Sequence, residues 1–170
     1  MSSLRLVETP DTLLRMKSEP VSQFGGELKS FIDEMTSLMY EEDGAGISAV
    51  QVGVLKRIFI VDISDDRSSP IVFINPEIIH YSENKIALNE GCLSFPGRVR
   101  LMIERPETVK VKFHDYMGNQ KEITADDWLS RAIQHENDHL NGVLLLDHVS
   151  KLKQDLFVKK VQKFQRSRDK

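Results

Sequence analysis

Apolar residues recur at helical spacing near the start of the chain, between the Gly25-Gly26 and Asp43-Gly44 breaks. A period of three to four residues indicates one buried face of a helix, and glycines at both ends mark where it stops. This pattern predicts a long first helix, whose apolar positions are Leu28, Phe31, Ile32, Met35, Leu38 and Met39.

Several β-rich stretches follow, each bounded by Pro, Gly, Asn, Asp or Ser. They are Ile58 to Val61, Ile71 to Ile74, Ile78 with Ile79, and the alternating Val109, Val111 and Phe113. The strands do not alternate with helices, which argues against a doubly wound parallel sheet.

A second helix is predicted at roughly residues 125 to 140. Thr124 with Asp127 resembles a capping box, and Asn141-Gly142 supplies a C-terminal stop. On a helical wheel, one arc is apolar and the opposite arc is polar. The apolar arc holds Trp128, Leu129, Ala132, Ile133 and Leu140; the polar arc holds Ser130, Arg131, Gln134, Asn137 and Asp138.

A third, basic helix is predicted at residues 150 to 166, with Ser150 as its cap. From Lys151 to Lys170 the chain carries eight Lys or Arg against two Asp, although the whole protein has a net charge of -3. This helix either packs on the body as a solvated helix or offers a basic contact to an RNA-containing partner. Its expected apolar side comprises Leu152, Leu156, Phe157, Val161 and Phe164.

Length and composition limit the class of protein. A chain of 170 residues without a linker-like or repetitive segment predicts one domain, residues 1–170. No leader or membrane-spanning stretch is evident, so we expect a cytoplasmic protein without a membrane partner and without specific DNA binding. A single cysteine excludes an intramolecular disulfide and leaves Cys92 free for chemistry.

The sequence His135-Glu136-Asn137-Asp138-His139 carries the strongest chemical signal. Histidines four residues apart on a helix share one face, where both imidazoles can hold one metal ion. The cation lowers the pKa of a water molecule, and Glu136 then takes its proton, as in metal-dependent hydrolysis. The alternative is a helix with two surface histidines.

A site of this kind needs a further protein ligand. Leu145 stands where metzincin peptidases have a third His, and His148 comes three residues too late. Thermolysin-like peptidases use a downstream Glu, but no Glu follows His139. Cys92 is the best remaining candidate, because a thiolate is an excellent ligand for zinc or ferrous iron. A lone Cys is otherwise more often a buried apolar residue.

Three motifs in this order resemble those of the peptide deformylases, and the resemblance covers nearly the whole chain. The motifs are Gly44-Ala45-Gly46-Ile47-Ser48-Ala49-Val50-Gln51, Glu90-Gly91-Cys92-Leu93-Ser94 and Gln134-His135-Glu136-Asn137-Asp138-His139-Leu140. The resemblance implies an α+β fold of mainly antiparallel strands around the central metal-binding helix, with N-terminal and C-terminal helices. It also implies removal of the formyl group from the formyl-methionine of new polypeptides.

The resemblance further implies a role for individual residues. Cys92, His135 and His139 would hold one divalent metal ion. The resemblance favours ferrous iron as the native ion, with zinc, nickel or cobalt able to replace it. Glu136 would be the general base and acid, while the Gln51 side chain and the Leu93 N–H would donate to the oxyanion. The substrate would contact Gly46, Gly91, Arg131 and Ala132, and the basic helix resembles the bacterial branch that works near the ribosome.

We also predict that Arg105 bridges Glu90 and Asp138, which would tie the Cys92 loop to the metal-site helix. The alternative is that these are independent surface charges. Two segments depart from the usual family pattern: Ser48-Ala49 and the bulky Asp126-Asp127-Trp128. Because of them, the resemblance does not determine the width of the pocket for the methionine side chain.

Two other classes of protein remain alternatives. One is a true endopeptidase; the other is a metal-stabilised binding module, which would need a fourth ligand such as His80 or His114.

Overall fold

In the described part of the chain, three α-helices and seven strands position the three sequence motifs. The structure is a computed structural model and describes residues 3–168. In chain order the elements are α1 (Gly26–Glu41), β1 (Gly46–Ser48), β2 (Ile58–Val61), β3 (Ile71–Tyr81), β4 (Lys85–Glu90), β5 (Leu101–Pro106), β6 (Val109–His114), β7 (Gln120–Ala125), α2 (Asp127–Leu140) and α3 (Lys151–Arg168).

The strands form two antiparallel groups, which confirms the predicted α+β class. Five strands make a sheet in the order β1-β2-β3-β6-β7, while β4 and β5 form a separate hairpin. Helix α2 packs against β1, β2 and β5 and therefore lies between the sheet and the hairpin. The metal-site helix is central, as predicted.

Strand β3 joins two stretches that the sequence suggested were separate. Its register against β6 shifts between Ile74 and Glu77, and Asn75 has a positive φ of 50°. The Asn75 side chain accepts from the N–H of Val21 and donates to its carbonyl. The turn-like Asn-Pro sequence is thus a bulge within one strand rather than the end of a strand.

The predicted capping box at the start of α2 is wrong. Thr124 lies in β7, opposite Lys110, and the helix begins at Asp127 after Asp126. The predicted stop is confirmed, because Gly142 adopts a left-handed φ of 71° and its N–H donates to the His139 carbonyl.

The predicted polar arc of α2 is also wrong for three of its members. Ser130, Arg131 and Gln134 are buried, whereas Trp128 of the apolar arc is half exposed. The helix has protein on more than one side: Ile133 and Leu140 join the core against the sheet, while Arg131 faces the hairpin. A helical wheel with one apolar and one polar arc describes a helix at the surface. It does not describe α2, which has protein on several sides.

Helix α3 forms where predicted and continues to Arg168. Only Phe157 and Val161 of its expected apolar side are buried, and Leu152 and Leu156 are exposed. The broad apolar side is therefore wrong, because α3 touches the body along a narrow line. Among the described helices, none is long and apolar enough to cross a bilayer.

Candidate active site

Three side chains from two separated parts of the sequence meet at one point. The candidate ligand atoms of Cys92, His135 and His139 all lie within 4.8 Å of one another. Cys92 Sγ is 3.2 Å from His139 Nε2, and all three residues are poorly accessible to solvent. The turn after β4 supplies the sulfur and α2 supplies both imidazoles, so the fold brings the predicted ligands together.

The protonation of the two imidazoles fits a site that a cation occupies. Burial lowers the pKa of His139 well below its usual value, which keeps the ring neutral and able to ligate. Burial alone would also lower the pKa of His135, but its interactions with Cys92 and Glu90 outweigh burial and raise it. A proton and a metal ion compete for such a position. One thiolate and two imidazoles suit zinc or ferrous iron.

Glu90 is hydrogen-bonded to His135, one of the three candidate ligands. The His135 Nδ1–H donates to Glu90 Oε2 over 3.1 Å, which leaves Nε2 for a metal. Arg105 donates to both oxygens of Glu90 over 2.6 and 3.0 Å and to Asp138 Oδ2 over 2.8 Å. Arg105 is only 4% exposed, so the alternative of independent surface charges is wrong.

The carboxylate of Glu90 stays ionised because it has several donors. Burial alone would raise the pKa of Glu90, but hydrogen bonds from His135 and Arg105 outweigh burial and lower it to about 2. Arg131 Nη1 also donates to Glu90, and its guanidinium donates to the carbonyls of Ile103 and Ile86. Sequence reasoning missed this second arginine because the helical wheel assigned Arg131 to the solvent side.

A further contact involves His148, which is partly exposed. His148 Nε2 lies 2.8 Å from the same Asp138 oxygen that accepts from Arg105. The sequence offered His148 only as a metal ligand in the wrong register. In the structure, His148 contacts Asp138 instead.

Glu136 lies beside the three candidate ligands and is 4% exposed. Among the described residues, its buried Oε2 has no hydrogen-bond partner. Burial raises the pKa of Glu136 to about 7, which suits a group that must first take and then return a proton.

Gly46 is the backbone neighbour of this carboxylate. A Cβ added to Gly46 would meet Glu136 Oε1 at 2.6 Å and its Cγ and Cδ at 3.1 Å. The contact with Oε1 is shorter than real Cβ contacts, and the other two are tighter than most. The missing side chain therefore makes room for Glu136, a reason for glycine that the sequence did not reveal.

Gln51 and Leu93 are both neighbours of the cysteine. Gln51 is buried, with its Nε2 3.6 Å from Cys92 Sγ and 3.1 Å from Ser94 Oγ. Leu93 is partly exposed and lines the adjoining cleft. Within residues 3–168, its N–H is paired with no acceptor. Two donors therefore lie near the candidate ligands.

An open cleft of about 670 Å³ leads from the surface to this cluster. The predicted substrate-contact residues Gly46, Gly91, Arg131 and Ala132 all line it, together with Cys92, His135 and Glu136. Trp128, which is half exposed, also lines the cleft. Within the described chain, the metal-ligand group has three members and includes neither His80 nor His114, so the closed fourth position of a binding module is not formed.

A buried Cys and two His, a neighbouring carboxylate and an open cleft define a metal-dependent hydrolase of the HExxH class. Residues 3–155 match the family model described as polypeptide deformylase. A peptide deformylase from Rickettsia akari is 48% identical over 96% of this chain and 97% of its own length.

Solved structures agree in fold and in sequence. A peptide deformylase from Legionella pneumophila has a TM-score of 0.93 and 37% identity, with 98% of each chain covered. One from Synechococcus elongatus, in complex with actinonin, has a TM-score of 0.89 and 40% identity over 94% of this chain and 88% of that one.

The chain belongs to the polypeptide deformylase family. It is a metal-dependent hydrolase that removes the N-formyl group from nascent polypeptides.

Proposed function

We propose that deformylation takes place at the floor of the cleft, where Glu136 adjoins Cys92, His135 and His139. The observation that carries this assignment is a buried carboxylate with an unpartnered oxygen beside a three-ligand cluster at the end of an open cleft. The formyl C–N bond is broken, and the products are formate and a free N-terminal amine.

Cys92, His135 and His139 hold a divalent cation, which supplies Lewis-acid polarisation and activation of water when it is bound. The hydrogen bond between His135 and Glu90 fixes the ring that carries one ligand. We propose ferrous iron as the native ion, with zinc, nickel or cobalt able to occupy the same ligands.

Iron beside a thiolate predicts sensitivity to oxygen. Protein loaded with iron alone under anaerobic conditions is expected to lose its activity on prolonged aeration, because Cys92 is open to oxidation once the metal cycles. The measurement is residual turnover against time in air, with zinc-loaded protein as the control. Equal persistence of both forms would contradict the choice of iron.

Glu136 handles the proton in both halves of the reaction. It removes a proton from the attacking water and delivers it to the departing amine nitrogen. As the formyl carbon becomes tetrahedral, negative charge develops on its oxygen, and the Gln51 amide and the Leu93 N–H donate to that oxygen.

The walls of the cleft suit an extended peptide. Gly46 belongs to the short strand β1, which is at one edge of the five-stranded sheet. Gly46 and Gly91 both line the cleft. The methionine side chain then lies against α2 near Ala132 and Leu129, with the Arg131 side chain beside them. These assignments give the N-formyl-methionyl end of a new polypeptide as the substrate.

Arg105 is proposed to hold the metal ligands in place through Glu90. We expect Arg105→Ala to weaken metal binding by roughly 10- to 100-fold, because Glu90 orients His135 and loses its bidentate partner. The measurement is metal affinity by competition with a chelator, made on protein shown to be folded by circular dichroism.

Arg15→Ala is the matched control, since Arg15 pairs with Asp147 at a half-exposed position away from the cleft. It is expected to keep the affinity of the unaltered protein. An Arg105→Ala variant with unchanged metal content and turnover would remove the role of Arg105.

We propose that residues 1–170 act as one catalytic domain in the cytoplasm, where formylated chains are made. Within this domain, the basic segment 150–166, most of which lies in α3, offers a surface to the ribosome. An outward hollow of this helix is lined by Lys159, Gln162, Lys163, Arg166 and Ser167. Exposed cations of this kind bind phosphate groups of RNA.

Removing three of these lysines is expected to weaken ribosome binding and to flatten its dependence on salt, because fewer phosphate contacts remain. The variant replaces Lys159, Lys160 and Lys163 with alanine, and the measurement is co-sedimentation with ribosomes at several salt concentrations. Equal binding by this variant, or binding that ignores salt, would contradict the proposal. The control removes the exposed Lys17, Lys85 and Lys121, which changes the net charge equally.

A further inference from the structure

Two buried serines hold the side-chain amide of Gln51 at its two ends. Gln51 Oε1 accepts from the Ser48 N–H over 2.9 Å and from the Ser48 hydroxyl over 3.0 Å. Gln51 Nε2 donates to Ser94 Oγ over 3.1 Å. Both serines are fully inaccessible to solvent and Gln51 is 1% exposed, so water does not replace these bonds.

The Ser48 backbone determines which end of the amide is the oxygen. If the amide rotated by half a turn, its NH2 group would face the Ser48 N–H, and two donors would meet in a buried place. A buried donor left without an acceptor has lost its hydrogen bonds to water and gained none in return, so the rotated amide is disfavoured. The Ser48 hydroxyl adds a second bond to the oxygen in the observed orientation.

Ser94 determines how the two Nε2 hydrogens are used. One hydrogen is donated to Ser94 Oγ over 3.1 Å, and the other is donated to Cys92 Sγ over 3.6 Å. An amide has only two such hydrogens. With one of them held by Ser94, the second is directed towards the cluster where the oxyanion develops.

We propose that Ser48 and Ser94 are positioning residues that aim one N–H of Gln51 at the reacting oxygen. This inference rests on the proposed role of Gln51 as an oxyanion donor. Neither serine lines the cleft, so neither contacts the substrate there. Burial raises the pKa of Glu136, but the Ser48 hydroxyl also interacts with that carboxyl and lowers its pKa, so Ser94 gives the cleaner test of action through Gln51. Ser48 stands where the family motif commonly has alanine, so its hydroxyl is a departure of this chain from that pattern.

The test is a double-mutant cycle on the metal-loaded enzyme with a formyl-methionyl peptide. Ser94→Ala is expected to lower kcat about fivefold, the equivalent of one buried hydrogen bond. Ser48→Ala is expected to lower kcat about twofold to threefold, because its N–H remains. KM should stay within about twofold in both, since ground-state binding does not use Gln51.

Ser94→Ala is then made in Gln51→Ala, where it is expected to cause no further loss of kcat. Ser48→Ala in the same background reports the part of its effect that passes through Glu136. Ser18→Ala is the control, because it removes a buried hydroxyl that has no partner among the described residues and lies outside the site. Metal content and melting temperature are recorded for every variant. If Ser94→Ala does not fold, Ser94→Gly, which also removes the hydroxyl, carries the test.

Losses of equal size from Ser94→Ala with and without Gln51 would overturn the positioning role, as would unchanged kcat in both serine variants while Gln51→Ala is impaired. A Gln51→Ala enzyme with unchanged kcat would instead remove the proposed role of Gln51 itself, and the inference with it. The two failures are therefore distinguishable.

Discussion

Glu136→Ala is expected to lower kcat by roughly 10³-fold, within the usual contribution of a general acid or base. Glu136 is the carboxylate beside the three candidate ligands, and its Oε2 has no partner among the described residues. Because it is not one of those ligands, the metal content is expected to stay the same. The measurement combines steady-state turnover with metal analysis of the same sample.

Glu77→Ala, at an exposed position on β3, is the control and should retain full turnover. Glu136→Gln keeps nearly the same shape and should be as impaired as the alanine variant, since an amide cannot take a proton from water. A fully active Glu136→Gln enzyme would show that another group transfers the proton.

Gly46→Ala is expected to lower kcat by about 100-fold with metal still bound, because misplacing a catalytic group by about 1 Å has an effect of this size. The new Cβ would come within 2.6 Å of Glu136 Oε1, so the carboxylate must move. The measurement is kcat and KM on the same substrate. A main effect on kcat indicates displacement of the base, whereas a main effect on KM indicates blocked approach of the peptide.

Two other glycines serve as comparisons. Gly26→Ala places its Cβ in open space at the start of α1 and should leave turnover unchanged. Gly91→Ala would have only ordinary contacts with Arg100, so any loss there reflects the substrate rather than the fold. Unchanged kcat in Gly46→Ala would contradict the position of Glu136 described above.

Sequence reasoning succeeded where a pattern has one dominant cause. Helix α1 packs one face on the core, and its apolar period predicted it correctly. The spacing of His135 and His139 placed both on one face of α2, and the added cysteine was brought to them by the fold. The contact of Arg105 with Glu90 and Asp138 is also present, although its effect on the metal remains a prediction.

Prediction from the sequence failed where the environment of a residue depends on partners that are distant in the sequence. Strands β4 and β7 have mostly exposed side chains, so hydrophobic alternation gave no signal for them. Arg131 was assigned to solvent because polar residues are usually exposed. It is buried because Glu90 and two carbonyls of the hairpin satisfy its guanidinium, and no local pattern reveals such partners.

The most direct measurement is the mass of the products that the metal-loaded protein forms from a formyl-methionyl peptide under anaerobic conditions. We expect loss of the formyl group alone, with release of formate and a free amine. Cleavage of an internal peptide bond would contradict the account in favour of an endopeptidase. An unchanged peptide, despite a full complement of metal, would contradict catalysis at this site altogether.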